Sequence, residues 1–184
     1  LVDQDVMDAQ EYYSQLFDRG RALSLLLFEH VHGDSRDRGQ AMVDLLSVYQ
    51  RNGFELSARE LPDYIPLFLE YLSQRPESDL VEWLSDAAPI FGMLNARLEQ
   101  RESPYQAIFR ALLEWVPEAI DLAPLRQSAA NEQRDDSLEA IDKIWEEEAV
   151  KFGAGGAASG CASQSKAPAR ITSNVKWVDG ARAS

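Results

Sequence analysis

From Val6 to Phe152 the apolar positions recur every three to four residues, the spacing of helices that each bury one face. Val6, Ala9, Tyr13, Leu16 and Phe17 predict a first helix between Asp3 and Arg19, with Gly20 placed to end it. Met42, Leu45, Leu46 and Tyr49 fall at i, i+3, i+4 and i+7, and Gly53 behind Arg51 and Asn52 is a stop signal. Residues 60–72 carry Leu61, Ile65, Phe68, Leu69 and Leu72 on one stripe. Pro62 fits a first helical turn, Asp63 favours the positive end of that dipole, and Pro66 lies within a turn of the start. The two prolines therefore mark a helix beginning and not a break.

Pro76 to Asp79 reads as a turn, followed by a short helix through Leu80, Val81, Trp83 and Leu84 that ends before Pro89. Ile90, Met93, Leu94 and Leu98 continue on another. Ser103-Pro104-Tyr105-Gln106 has the form of a capping box with proline at the first helical position. It opens a stripe of Tyr105, Ile108, Phe109, Leu112, Leu113 and Val116, closed by Pro117. Beyond a polar interval from Asn131 to Asp136, Ser137 caps a last helix with Leu138, Ile141, Trp145 and Phe152 inward. Glu146, Glu147 and Glu148 form its solvated face. No segment alternates with a strand's period of two, and Asn52-Gly53 serves better as a helix end than as a hairpin. The expected class is all-α, one helical-bundle domain over residues 1–152.

One stretch departs from plain amphipathic patterning. Leu25, Leu26, Leu27 and Phe28 run without polar interruption. Arg19 and Arg21 precede them, and Glu29, His30, His32, Asp34, Arg36, Asp37 and Arg38 follow, with Gly20 and Gly33 as breakers. An oily run set in mixed charge suits the wall of a cleft, or a buried helix with solvated flanks. After Phe152 the composition changes: residues 153–184 are rich in Gly, Ala and Ser and read as a flexible tail. The tail is basic, with Lys166, Arg170, Lys176 and Arg182 against Asp179. Its charge suits folding back onto the acidic body, on the surface a basic partner would use.

The 184 residues, 45% of them hydrophobic, are enough for one medium domain with its own core. The net charge of −13 argues against nucleic acid and anionic lipid as partners. It favours a basic peptide, whose encounter a negative field accelerates. Cys161 is the only cysteine, which excludes a disulfide framework and a thiolate metal cage. No apolar run approaches the ~20 residues of a membrane helix. A cytoplasmic setting without direct membrane insertion is the expectation. The chain begins at Leu1 and not Met, which is expected of a chain whose N-terminal piece is missing or has been removed.

Candidate chemistry is sparse. His30 and His32 stand near Glu29, Asp34 and Asp37, but i and i+2 side chains diverge on a helix, and no third ligand has a recognised spacing. Neither a metal nor a cofactor is expected. No nucleophile elbow, phosphate-binding glycine loop or HExxH pattern occurs. The Asp135-Asp136 pair lies in a polar connector where nothing would raise a pKa. No catalytic residue is assigned and the chain is not expected to be an enzyme. A helical body with apolar run, aromatics and surplus carboxylates has the parts of a helix-in-groove receptor.

Four motifs carry a resemblance: Tyr13-Ser-Gln-Leu-Phe-Asp-Arg-Gly20, Leu26-Leu-Phe-Glu-His-Val-His-Gly33, Ser35-Arg-Asp-Arg-Gly-Gln-Ala-Met42 and Glu60-Leu-Pro-Asp-Tyr64. Together with Trp145-Glu-Glu-Glu-Ala-Val-Lys-Phe152, they resemble the respiratory nitrate reductase assembly chaperones of NarJ type, within the all-helical TorD/DmsD group. The likeness runs from about Asp8 to Phe152. It implies a cytoplasmic, non-catalytic chaperone that binds the N-terminal helical segment of the nitrate reductase catalytic α subunit. The same likeness implies contact with the apoenzyme while molybdenum cofactor and an iron–sulfur cluster are inserted, delaying membrane docking. Molybdenum cofactor delivery proteins are further partners it allows, and a stable adaptor or structural subunit of the complex is the alternative. Carried over by motif, the peptide site would comprise Tyr13, Leu16, Phe17, Leu27, Phe28, Glu29, Asp63 and Tyr64. Ordinary core packing competes for Leu16, Phe17 and Leu27, and helix-start capping for Asp63. Family members have a further helical stretch before the Tyr13 motif, and the Gly/Ala-rich tail matches them poorly.

Overall fold

In a computed structural model of the chain, residues 5–33, 36–56, 60–137, 139–140, 142 and 176–177 are described. The longest helix, α5 (Glu77–Gln100), packs most extensively against the two helices that follow it, and also meets the second and fourth helices. Its first turn carries Glu77 and Asp79 at the positive end of the dipole, and Arg75 binds Asp79 at 2.8 Å. Leu84, Ala87, Ala88, Phe91, Leu94 and Leu98 then make one buried stripe on both sides of its midpoint. That continuity overrides the expected break at Pro89. The missing N–H leaves the Ser85 carbonyl without its helical donor, at a cost of about 3 kcal/mol. Pro89 is exposed, and core residues on both sides of it bury together. Each large apolar side chain so buried contributes about 1.5–3 kcal/mol.

Helix α1 (Val6–Phe17) is capped by Asp5, whose carboxylate accepts from the Met7 amide. Its buried residues are Leu16 and Phe17, whereas Val6 is 68% exposed and not on a core face as the periodicity suggested. The short α2 (Leu27–His32) ends at Gly33 with φ of 55°, and α3 (Arg36–Arg51) buries Leu45 and Tyr49. Phe54–Glu55 (β1) pairs antiparallel with Lys176–Trp177 (β2). Strands of two residues are too short for an alternating pattern to register. Helix α4 (Ile65–Leu72) starts later than its proline pattern implied: Pro66 occupies its first turn, while Pro62 and the exposed Leu61 lie in the preceding loop. The Tyr49 hydroxyl donates to the Pro62 carbonyl at 2.8 Å.

The exit from α5 changes the reading of Ser103. Glu102 adopts φ of 52°, its amide donates to the Glu99 carbonyl, and the Ser103 amide donates to Leu98. These two bonds form a Schellman ending with a glutamate in the left-handed position. The Ser103 amide is thus committed backwards, and the hydroxyl makes only a 3.4 Å contact to the Tyr105 amide ahead of α6 (Gln106–Leu113). In α6, Phe109 is buried but Ile108 is 52% exposed, off the stripe assigned to it. Helix α7 (Leu122–Asn131) was not expected from the pattern. Asp121 caps it, and a Cβ at Gly92 would stand 2.7 Å from a Leu125 methyl, so glycine lets α5 and α7 approach closely. The Ser137 hydroxyl accepts from the Ala140 amide, as a cap there should. Leu138, Ile141, Trp145, Phe152, the glutamate run and the tail other than β2 lie outside the described residues.

Helices α1 to α6 share one core, α7 packs on α5, and the all-α class holds. None of them is long and apolar enough to cross a membrane.

Candidate functional site

Two loops that are distant in sequence meet to make the site. The segment before α2 and the segment before α4 exchange backbone bonds as an isolated antiparallel bridge at Leu26 and Tyr64. The Leu27 amide donates to Asp63 at 3.0 Å, and the Ile65 amide to Leu25 at 2.8 Å. With the end of α1 they enclose a cleft of about 390 Å³. Tyr13 and Phe17 from α1 line it, with Leu25, Leu26, Leu61 and Tyr64 from the loops. Polar groups there come from Asp18, Ser24 and Glu60. Volume and lining are those of a site for an apolar guest with a few placed polar contacts.

Aromatic contacts fix the wall. The Tyr13 ring lies 4.9 Å from Phe17, and Tyr105 packs edge-on against Phe17 at 5.2 Å. Tyr13 and Tyr64 join their hydroxyls at 3.3 Å across the cleft. Burial, then that hydrogen bond and the nearby acidic groups, push the Tyr13 phenol well above its ordinary value. It is therefore a neutral donor or acceptor at any physiological pH.

Of the eight residues carried over by motif, the cleft brings together Tyr13, Phe17 and Tyr64. Leu16 and Leu27 sit in the core. Phe28 is half-buried against that core with its ring 5.8 Å from His32. Glu29 binds Arg38 at 3.0 Å, joining α2 to α3. Asp63 is 0% exposed, and its Oδ2 accepts from the Phe28 amide at 3.1 Å. It caps α2 across the bridge and not α4, the helix it precedes; Leu26 and Tyr64 at the cap positions supply no side-chain bond. The other oxygen, Oδ1, has no hydrogen-bond partner. Residues that the motifs missed are Asp18, Ser24, Leu25, Leu26, Glu60 and Leu61. Their signal was within reach, since Leu25 and Leu26 open the uninterrupted apolar run and Asp18 and Glu60 stand inside the quoted motifs.

The wall containing Ser24 is held from behind. The Ala22 amide donates to Asp135 and its carbonyl accepts from Arg97, both at 2.7 Å. Arg97 also grips Glu132 with two nitrogens, at 2.7 and 2.8 Å. Arg101 reaches Asp136 at 3.0 Å and Asp135 at 3.6 Å. Arg134 binds Asp136 as well, and with Arg101 holds that carboxyl below the usual carboxylate range. The interval expected to be an idle polar connector is therefore docked. His30 donates through Nε2–H to the Ser24 carbonyl at 2.8 Å, while His32 faces Phe28, so the two imidazoles diverge as their spacing required. Burial pushes the His30 imidazole below its ordinary value, against the opposing pull of the Ser24 carbonyl. Among the described residues no group of three or more His, Cys, Asp or Glu is placed to hold a metal ion.

Fold and cleft together define an all-helical protein with an aromatic, acid-edged groove. Residues 2–121 match the family described as nitrate reductase delta subunit, and the chain belongs to that family. It is similar to the nitrate reductase molybdenum cofactor assembly chaperone NarJ of Escherichia coli (strain K12), 59% identical over 152 residues, 83% of this chain and 64% of that protein. The probable nitrate reductase molybdenum cofactor assembly chaperone NarW of the same strain is 50% identical over 152 residues, 83% of this chain and 66% of the relative. A probable NarJ of Bacillus subtilis (strain 168) is 31% identical over 107 residues, 56% of each chain. The resemblance to NarJ-type chaperones carried by the motifs is thus borne out, and the chain spans 64% of the length of the Escherichia coli NarJ it matches.

Proposed function

We propose that the chain is an assembly chaperone of the membrane-bound nitrate reductase that receives the N-terminal helical segment of the catalytic α subunit in the Tyr13–Phe17–Tyr64 cleft. The observation that supports this reading most is the lining itself: three aromatic rings and three leucines edged by Asp18 and Glu60. Apolar anchors of an amphipathic helix would supply the affinity there, and the carboxylates would select basic flanks. Holding that segment keeps the apoenzyme from membrane docking while molybdenum cofactor and iron–sulfur cluster enter it. Both groups are the client's, and delivery proteins would bring the cofactor. The chain itself acts in the cytoplasm and performs no chemistry. Leu16, Leu27 and Phe28 support the cleft from the core side, and Glu29 and Asp63 fix α2 beside it.

Calorimetric titration with a synthetic peptide of the α subunit's first ~15 residues, about four helical turns, tests the reading. Saturable binding that Tyr13→Ala weakens is expected; no heat and no shift in melting temperature would end it. The family's description as a delta subunit favours a second reading, a stable component of the complex. Co-purification separates the two, because a chaperone leaves the finished enzyme and a subunit stays stoichiometric with it.

A further inference from the structure

We infer that the connector Glu132–Asp136 is a latch that sets the cleft wall from behind, with Arg97 and Asp135 as its positioning residues. The inference rests on the peptide-binding reading above and adds to it a remote determinant of affinity.

Ala22 has both backbone polar groups taken by side chains that are 75 and 113 residues away in sequence. A connecting turn meant only to link α1 to α2 would leave those groups to water or to neighbouring backbone. Here they are bound by a guanidinium and a carboxylate, the strong kind of hydrogen bond. The grip is also rigid. Three nitrogens of Arg97 are fixed by Ala22 and Glu132 together, and Asp135 and Asp136 share Arg101. Gly20 shows how close the connector lies, since a Cβ there would stand 2.6 Å from the carboxylate carbon and both oxygens of Asp135.

The path from latch to cleft is short. The Ser24 amide closes a turn onto Arg21 at 3.1 Å, its hydroxyl accepts from the Leu26 amide at 3.2 Å, and Ser24, Leu25 and Leu26 line the cleft. Displacing Ala22 therefore moves a wall whose opposite side, Tyr13 and Phe17, is anchored separately on Tyr105. The width between the walls is what an apolar guest senses.

The test uses the full chain, the same ~15-residue peptide and amide hydrogen exchange. Asp135→Ala and Gly20→Ala remove or displace the acceptor for the Ala22 amide; Asp135→Asn keeps an acceptor oxygen in the same place. Asp135→Ala and Gly20→Ala are expected to speed exchange at Ala22, Ser24 and Leu26 and to weaken peptide binding about tenfold, with Asp135→Asn within about threefold of the parent. Faster exchange at those amides with unchanged affinity would overturn the inference, as would unchanged exchange, or an Asn variant as weak as the Ala variant. If the parent chain fails to bind the peptide at all, the functional reading falls. The latch is then judged on exchange alone, where lost protection at Ser24 and Leu26 supports it and kept protection overturns it.

Discussion

Asp63 illustrates how a residue can matter to a site without touching its contents. The carboxylate is sealed from solvent, capping α2 through the Phe28 amide and leaving Oδ1 without a partner. Asp63→Ala would leave that amide unpaired near the core, and urea unfolding should register a loss of about 1–3 kcal/mol. Asp63→Asn, which keeps an acceptor, should lose less. His30 brings a pH dependence. Burial holds its folded-state value below the ordinary 6.5, so the unfolded chain takes up the proton first as pH falls. The contribution is complete above the ordinary value and declines below it until the folded imidazole also protonates. Melting temperature should therefore drop between about pH 7.5 and about pH 5.5, and less so in His30→Gln. The sequence placed both residues in plausible roles, yet neither partner could be read from it, because Asp63–Phe28 and His30–Ser24 depend on two loops meeting in space.

Among the elements, α5 best separates what local rules can and cannot foresee. Proline at 89 reads as a boundary by every local criterion, and only the unbroken stripe from Leu84 to Leu98 argues otherwise. Pro89→Ala restores a helical donor and loses some stiffness in the unfolded chain. The net expectation is a gain of about 1–3 kcal/mol, checked by chemical denaturation. Helix α7 was missed for a related reason: its buried faces are small or short, and the glycine that admits it, Gly92, lies on a different helix. The capping box at Ser103 had the right letters, but the Schellman ending of α5 claimed its amide first. Helices with strong stripes, α1, α3 and α4, were legible as elements, with their boundaries displaced by a few residues.

For the whole molecule, charge is the property read most directly from sequence. A body carrying the acidic surplus of a −13 chain, with Asp18 and Glu60 at the cleft, should draw in a basic segment over a Debye length. Raising salt from about 50 mM to about 500 mM is expected to slow peptide association by stopped-flow more than it alters dissociation. A rate indifferent to salt would remove the steering argument. The cleft's existence was half legible: the oily run and the aromatic motifs were visible, but their meeting across the Leu26–Tyr64 bridge was not. The phenols of Tyr13 and Tyr64 satisfy each other across that gap. A guest made only of hydrocarbon would strand both oxygens on wedging them apart, whereas one presenting an amide or a cation at that level gives each a new mate. On the proposed reading, selectivity against plain grease would rest on those two hydroxyls.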